Sequence, residues 1–331
     1  MKKVLLILMC CMAIQSVHAQ DTPKWADKAK KAVFSIVTYD KENKIKNTGN
    51  GFYINNNGTA LSDYSLFEDA ERAVIINADG KELPVTRIAG ANSMYDVIKF
   101  RTETEKKITA LKVATQPAAV GETVYLLPYS TQKAATCQTG KVTQVDTIAD
   151  KAYYYTLTMT TSDKTVSCPI MNANGEVLGL IQKSASEEDK ESYAIGASYG
   201  ESLSISPLSA NDINLNKIGI AKALPETEDQ ALVYLYMSSS QMDAKNYLAT
   251  LNDFLQAYPN STEGYTRRAG YYMNIGDDEH NALAEADLKK AMDVSGNKTE
   301  GQYNVAKIIY SYCINLEEGK KAYGAGVTTK H

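Results

Sequence analysis

The hydrophobic period of the chain changes once, near Pro225, and that change constrains the fold more than any other feature. From Val33 to about Ser204, short apolar or alternating runs are separated by Gly, Asn or Asp, the pattern of β-strands. Examples are Val33 to Tyr39, Gly51 to Ile54, Ala73 to Asn77, Glu82 to Ile88 and Val97 to Arg101, then Glu122 to Leu127, Thr139 to Val145, Tyr153 to Met159, Glu176 to Gln182 and Tyr193 to Ile195. Asn57-Gly58, Asp79-Gly80 and Asn174-Gly175 are dipeptides that close tight hairpins. So many short strands predict a barrel or a sandwich. Beyond Pro225, apolar and small residues recur at helical spacing over Asp229 to Ser239, Asp243 to Ala257, Thr262 to Ile275 and Ala282 to Val294, with Pro259 and Gly276 in the breaks.

Lys2 and Lys3 precede an apolar run from Val4 to Ile14 and the tripeptide Val17-His18-Ala19, the pattern of a signal peptide cut after Ala19. The run is too short to cross a bilayer as a helix, so no transmembrane segment is expected in the mature chain. An exported protein, periplasmic or secreted, is therefore expected. Removing the signal leaves 33 basic residues against 39 acidic ones, with no basic cluster, which argues against a nucleic-acid partner. The 312 remaining residues exceed what one core usually supports. The expected division is a signal peptide at 1–19, a β domain at 24–204, a linker at 205–228 and a helical domain at 229–331. Cys137, Cys168 and Cys313 are too few for a disulfide framework, and a Cys137–Cys168 bridge and two buried thiols are equally compatible with the sequence.

Setting Glu228 against Thr262 gives an offset of 34 residues, and the segment Gly264 to Asp277 with Ala284, Leu288 and Ala291 resembles a tetratricopeptide repeat. Arg268 stands where that family prefers an aliphatic residue. The preceding repeat is recognisable mainly at Tyr258-Pro259, and a third begins at Thr299 but is incomplete. The resemblance implies an inner surface lined by Leu232, Tyr236, Ser239, Thr266, Gly270 and Met273, suited to a protein or peptide partner.

The β region is similar to the HtrA-type, trypsin-fold serine proteases. The resemblance rests on the order of Gly49 to Ser62, Asp79 to Val85, Ser93 to Phe100, Val120 to Leu126, Thr139 to Val142 and Cys168 to Leu180. It implies a double β-barrel and a Ser-His-Asp triad with an oxyanion loop. The triad positions correspond to Ser65 for the base, Asp96 for the orienting acid and Val166 for the nucleophile. Serine cannot serve as a base near neutral pH, and valine cannot attack. The three glycines of the nucleophile motif are replaced by Lys164, Ser167 and Cys168. Ser167 is the fallback nucleophile and Cys168 a conceivable thiolate, yet either needs a base. The histidines are His18, His280 and His331, none of them in the β region, so a Lys164 or Lys183 dyad is the one arithmetic alternative.

No phosphate-binding glycine loop, dinucleotide fingerprint or zinc spacing is present, so no cofactor or metal is expected. The acidic run Glu187-Glu188-Asp189 with Glu191 reads as a solvated loop rather than a calcium site. The stripe Tyr153, Tyr155, Leu157 and Met159 reads as barrel packing rather than a substrate wall. The expectation is an exported, protease-like protein that binds rather than cuts, with a serine endopeptidase of unorthodox site as the alternative.

Overall fold

A computed structural model describes residues 22–104, 108–149, 152–182 and 191–315. The signal segment, Lys183, the acidic run at 187–189 and His331 lie outside the described residues. Two closed, antiparallel six-stranded barrels make up the β region. The first contains β1 (Val33–Tyr39), β2 (Ile45–Tyr53), β3 (Thr59–Ser62), β4 (Arg72–Ile76), β5 (Glu82–Asn92) and β6 (Val97–Thr102). The second contains β7 (Thr123–Leu126), β8 (Gln138–Ala149), β9 (Ala152–Leu157), β10 (Pro169–Met171), β11 (Val177–Ile181) and β12 (Ser192–Gly196). Strand order is 1-2-3-6-5-4 in one and 10-11-12-9-8-7 in the other.

Alternation along the strands fills the interiors. Phe34, Phe52, Phe67 and Phe100 are fully buried in the first barrel, and Leu126, Leu157, Val177 and Leu180 in the second. Burying each such side chain contributes roughly 1.5–3 kcal/mol. The expected hairpin glycines Gly58, Gly80 and Gly175 all adopt positive φ, at 89°, 76° and 77°. Tyr155, Leu157 and Met159 are buried, as packing requires, while Tyr153 is only partly covered. An N-terminal helix, α1 (Ala26–Ala29), ties the second barrel to the chain start, where Trp25 Nε1 donates to the Ala173 carbonyl at 3.0 Å. A further helix, α2 (Ala197–Ser202), packs between the barrels.

The segment expected to be a linker, 205–228, is instead packed. Ile205, Ala210, Leu215, Ile218 and Ile220 are buried, and α3 (Ile213–Asn216) lies within it. Ile88 of β5 donates to Ala221 O at 2.8 Å and accepts from Ala223 N at 2.7 Å, so the strap is hydrogen-bonded to the first barrel. Apolar spacing in this stretch is irregular because it follows a barrel surface rather than a helix or strand. That irregularity gave it the texture of a linker.

The C-terminal helices are α4 (Glu228–Ser238), α5 (Ala244–Ala257), α6 (Thr262–Ile275), α7 (Asp278–Val294) and α8 (Lys298–Asn315). Thr227, Asp243, Ser261 and Asp277 cap the first four through side-chain oxygens, and Gly276 at φ 76° ends α6. The Asp277 cap starts α7 four residues before the apolar spacing does. So short a helical array leans on the barrels: Tyr234 of α4 joins the barrel core, and Arg87 Nε donates to Asp253 Oδ2 of α5 at 2.7 Å. Arg268 is held by Asp287 of α7 through Nε and a terminal nitrogen at 2.8 and 2.7 Å. That bidentate pair accounts for an arginine in an otherwise apolar repeat position. Among the described residues no helix is long and apolar enough to cross a membrane.

Candidate functional site

Where β3 leaves the first barrel, a short turn carries Ser62, Asp63, Tyr64 and Ser65 towards the second barrel. Ser65 and Asp96 meet there. The Ser65 amide donates to Asp96 Oδ1 at 2.6 Å, and the Ser65 hydroxyl donates to Oδ2 at 3.0 Å. The two positions that the resemblance assigns to base and orienting acid are thus in contact, with the carboxylate satisfied by a hydroxyl and an amide. Asp96 itself sits at φ 47°, a left-handed conformation on the tight approach to β6.

Facing this turn is the loop 162–168. Thr165 N and Val166 N both donate to Ser162 O, at 2.8 and 3.2 Å. Ser167 N donates to Ile181 O at 2.9 Å and Cys168 N to Thr165 O at 3.1 Å. From β2, Asn50 Nδ2 donates to the carbonyls of Lys164 and Val166, at 3.1 and 2.9 Å. Four successive amides are therefore consumed internally, whereas an oxyanion hole needs donors left free for substrate. Val166 is partly buried and Lys164 is exposed.

Ser167, the fallback nucleophile, is fully buried at φ 63°, and its hydroxyl has no hydrogen-bond partner. The neighbouring acid is Asp63, also buried, with an unpartnered Oδ1. Ser167 lies near enough to favour the ionised form of Asp63 slightly, but not in good hydrogen-bond geometry. Desolvation dominates and, with the Asp96 carboxylate nearby, raises the Asp63 pKa well above the usual carboxylate range. The same burial disfavours the ionised form that a base for Ser167 would need. Burial likewise pushes the Cys168 thiol up to about 12, away from a reactive thiolate. Cys137 and Cys168 are separate thiols. Sequence reasoning missed Asp63 and Asn50. A carboxylate two residues from the base position, directly after a fully buried strand, was the available signal for Asp63.

The proposed helical surface needs correction at two positions. Thr266 is 3% exposed, and Met273 is fully buried against Ala269, Ala284, Leu288, Val305 and Ile309. Both are covered because α8 stacks on α6 and α7 and closes the face that an incomplete repeat would leave open. Met273→Ala should therefore cost about 2–5 kcal/mol in a denaturant melt rather than blunt recognition. Leu232 is partly buried among the helices, and Ser239 caps α4 while its hydroxyl donates to Tyr236 O. Tyr236 is 70% exposed, with the Arg267 guanidinium 5.9 Å from its ring centre. Gly270 has open space where a Cβ would stand, so Gly270→Ala should stabilise α6 by about 0.5–1 kcal/mol, seen as a higher denaturant midpoint.

His280 lies in the first turn of α7, its amide donating to the Asp277 cap and its Nδ1 2.7 Å from Oδ1, far in sequence from the barrels. Among the described residues no group of three or more His, Cys, Asp or Glu could hold a metal ion. Comparison with curated proteins finds no match. Among solved structures, the chain is similar to a serine endoprotease from Yersinia pestis at 14% identity and a TM-score of 0.46, over 55% of this chain and 65% of that one. This chain thus spans just under two thirds of that structure's length. Residues 49–180 match the family model of a trypsin-like peptidase domain, and the two closed barrels around them are a trypsin-like double barrel.

Proposed function

We propose that this chain is an exported, non-catalytic relative of trypsin-like peptidases that binds protein or peptide partners through its barrels and its tetratricopeptide-like helices. The observation that carries the reading is the loop 162–168, whose amides at Thr165, Val166, Ser167 and Cys168 are all spent inside the protein. Ser65 in place of a base and Val166 in place of a nucleophile add to it. The endopeptidase alternative would rest on Ser167, which is buried beside an acid whose ionised form burial disfavours. Of the helical positions, Tyr236 offers an exposed aromatic group at the partner-facing surface. Export rests on the charged and apolar pattern of the first nineteen residues.

Two measurements on the purified chain test this reading. Casein and peptide hydrolysis should stay at background, and retention of envelope proteins on an affinity column should weaken with Tyr236→Ala at an unchanged melting temperature. Hydrolysis abolished by Ser167→Ala would overturn the reading.

A further inference from the structure

A cleft away from the triad positions lies between the first barrel, the strap and α5. It encloses about 740 Å³, a volume suited to a small ligand or short peptide. A second hollow of about 220 Å³ shares its walls at Arg101, Ala223, Leu224 and Glu226.

Charged side chains of both signs line the cleft, Arg87 and Arg101 with Asp253 and Glu226, and the adjoining hollow adds Lys99 and Glu201. β5 and β6 place Arg87 directly opposite Arg101, and Lys99, which lines the second hollow, precedes Arg101 on the same face of β6. Like charges set opposite one another across a strand pair repel. Asp253 relieves Arg87, but the Arg101 side chain has no hydrogen bond or ion pair among the described residues. Lys99 donates to the Glu201 carbonyl at 2.7 Å, and burial lowers its pKa while the nearby Glu226 and Glu201 carboxylates favour its charge. Asn55 and Asn57, which line the second hollow, accept hydrogen bonds in the turn at Gly58 through their side-chain oxygens. Leu224, Pro225, Ala257 and Tyr258 add an apolar wall.

We infer that this cleft binds a short peptide by its carboxylate, with Arg101 as the principal anchor, Lys99 supporting it and the apolar wall taking the neighbouring side chains. The guanidinium fork matches a carboxylate through two parallel hydrogen bonds. Free phosphate shares the negative charge, but it would leave most of the cleft and its apolar wall unused. The inference rests on the binding function proposed above and names a place and a chemistry for it. Because the walls come from a barrel and from α5, an occupant would also fasten the helical region to the first barrel.

The test uses the purified full chain and a pentapeptide of alanine and leucine with an N-terminal fluorophore, prepared with a free C-terminal carboxylate or a C-terminal amide. Fluorescence anisotropy should show the carboxylate form binding about tenfold more tightly than the amide. Arg101→Gln should erase that preference and Lys99→Gln should reduce it, both with unchanged melting temperatures. Equal affinity for the two peptides, a preference that survives Arg101→Gln, or binding of inorganic phosphate without binding of the peptide would overturn the inference. Binding independent of Arg101 would remove this site and leave the general binding function standing. Cleavage of the peptide, abolished by Ser167→Ala and seen by mass spectrometry, would remove the binding function itself.

Discussion

Peptide hydrolysis stays at background when histidine and serine are installed together by Ser65→His and Val166→Ser. The substitutions supply a base and a nucleophile, and Asp96 is already placed to orient the base, since it holds Ser65 by two hydrogen bonds. What they do not supply is stabilisation of the tetrahedral oxyanion. Val166 N–H remains bonded to Ser162 O, and Asn50 fixes the carbonyls of Lys164 and Val166 so that the flanking peptide planes cannot rotate. Loss of a single oxyanion donor costs about 10²–10³ in turnover, so with the Val166 amide spent on Ser162 O the double variant stays at least that far below a working peptidase. The glycines that would let the loop reorganise are absent, since Lys164, Ser167 and Cys168 occupy their positions. Turnover of a fluorogenic peptide well above the wild-type background would show that the loop reopens, and would contradict this account of the site.

Asp63→Asn should raise the melting temperature increasingly as pH rises from 4 to 8.5, with little difference at pH 4. Asp63 is 2% exposed, has an unpartnered oxygen and faces the Asp96 carboxylate, the Ser167 hydroxyl and the Cys168 thiol. Its folded-state pKa lies above the unfolded value of about 3.9. Between those two values the folded protein holds more protons than the unfolded chain, so stability falls as pH rises through the window. Asparagine has the same shape as the protonated acid and carries no charge to desolvate, so the variant escapes that loss. Thermal melts of both proteins at matched ionic strength give the comparison. A difference in melting temperature that stays constant with pH, or a wild type that gains on the variant as pH rises, would show that the buried carboxyl is not held protonated.

Much of the architecture was legible because it depends on local rules. Hairpin dipeptides specified Gly58, Gly80 and Gly175, and helical spacing with Pro259 and Gly276 in the breaks delimited the helices to within a few residues. β3 and β10 escaped notice as separate strands because they are short and buried on both faces, so they show no alternation. Ser65 and Asp96 were located from the order of motifs, and the geometry brings them into contact. The closed form of the loop 162–168 was not legible, because Asn50, which fixes its Lys164 and Val166 carbonyls, lies more than a hundred residues away in sequence. Thr266 and Met273 were placed on an open surface by analogy with longer arrays, and α8 covers them here. The strap at 205–228 was read as a linker because its pairing partner, Ile88, lies in another strand and leaves no local signature.

Intact-mass spectrometry after incubation with a fluorophosphonate serine probe addresses catalytic silence most directly, because it needs no knowledge of a substrate. The account predicts an unmodified wild-type mass, identical in behaviour to Ser167→Ala. A stoichiometric adduct on the wild type that disappears in Ser167→Ala would contradict it.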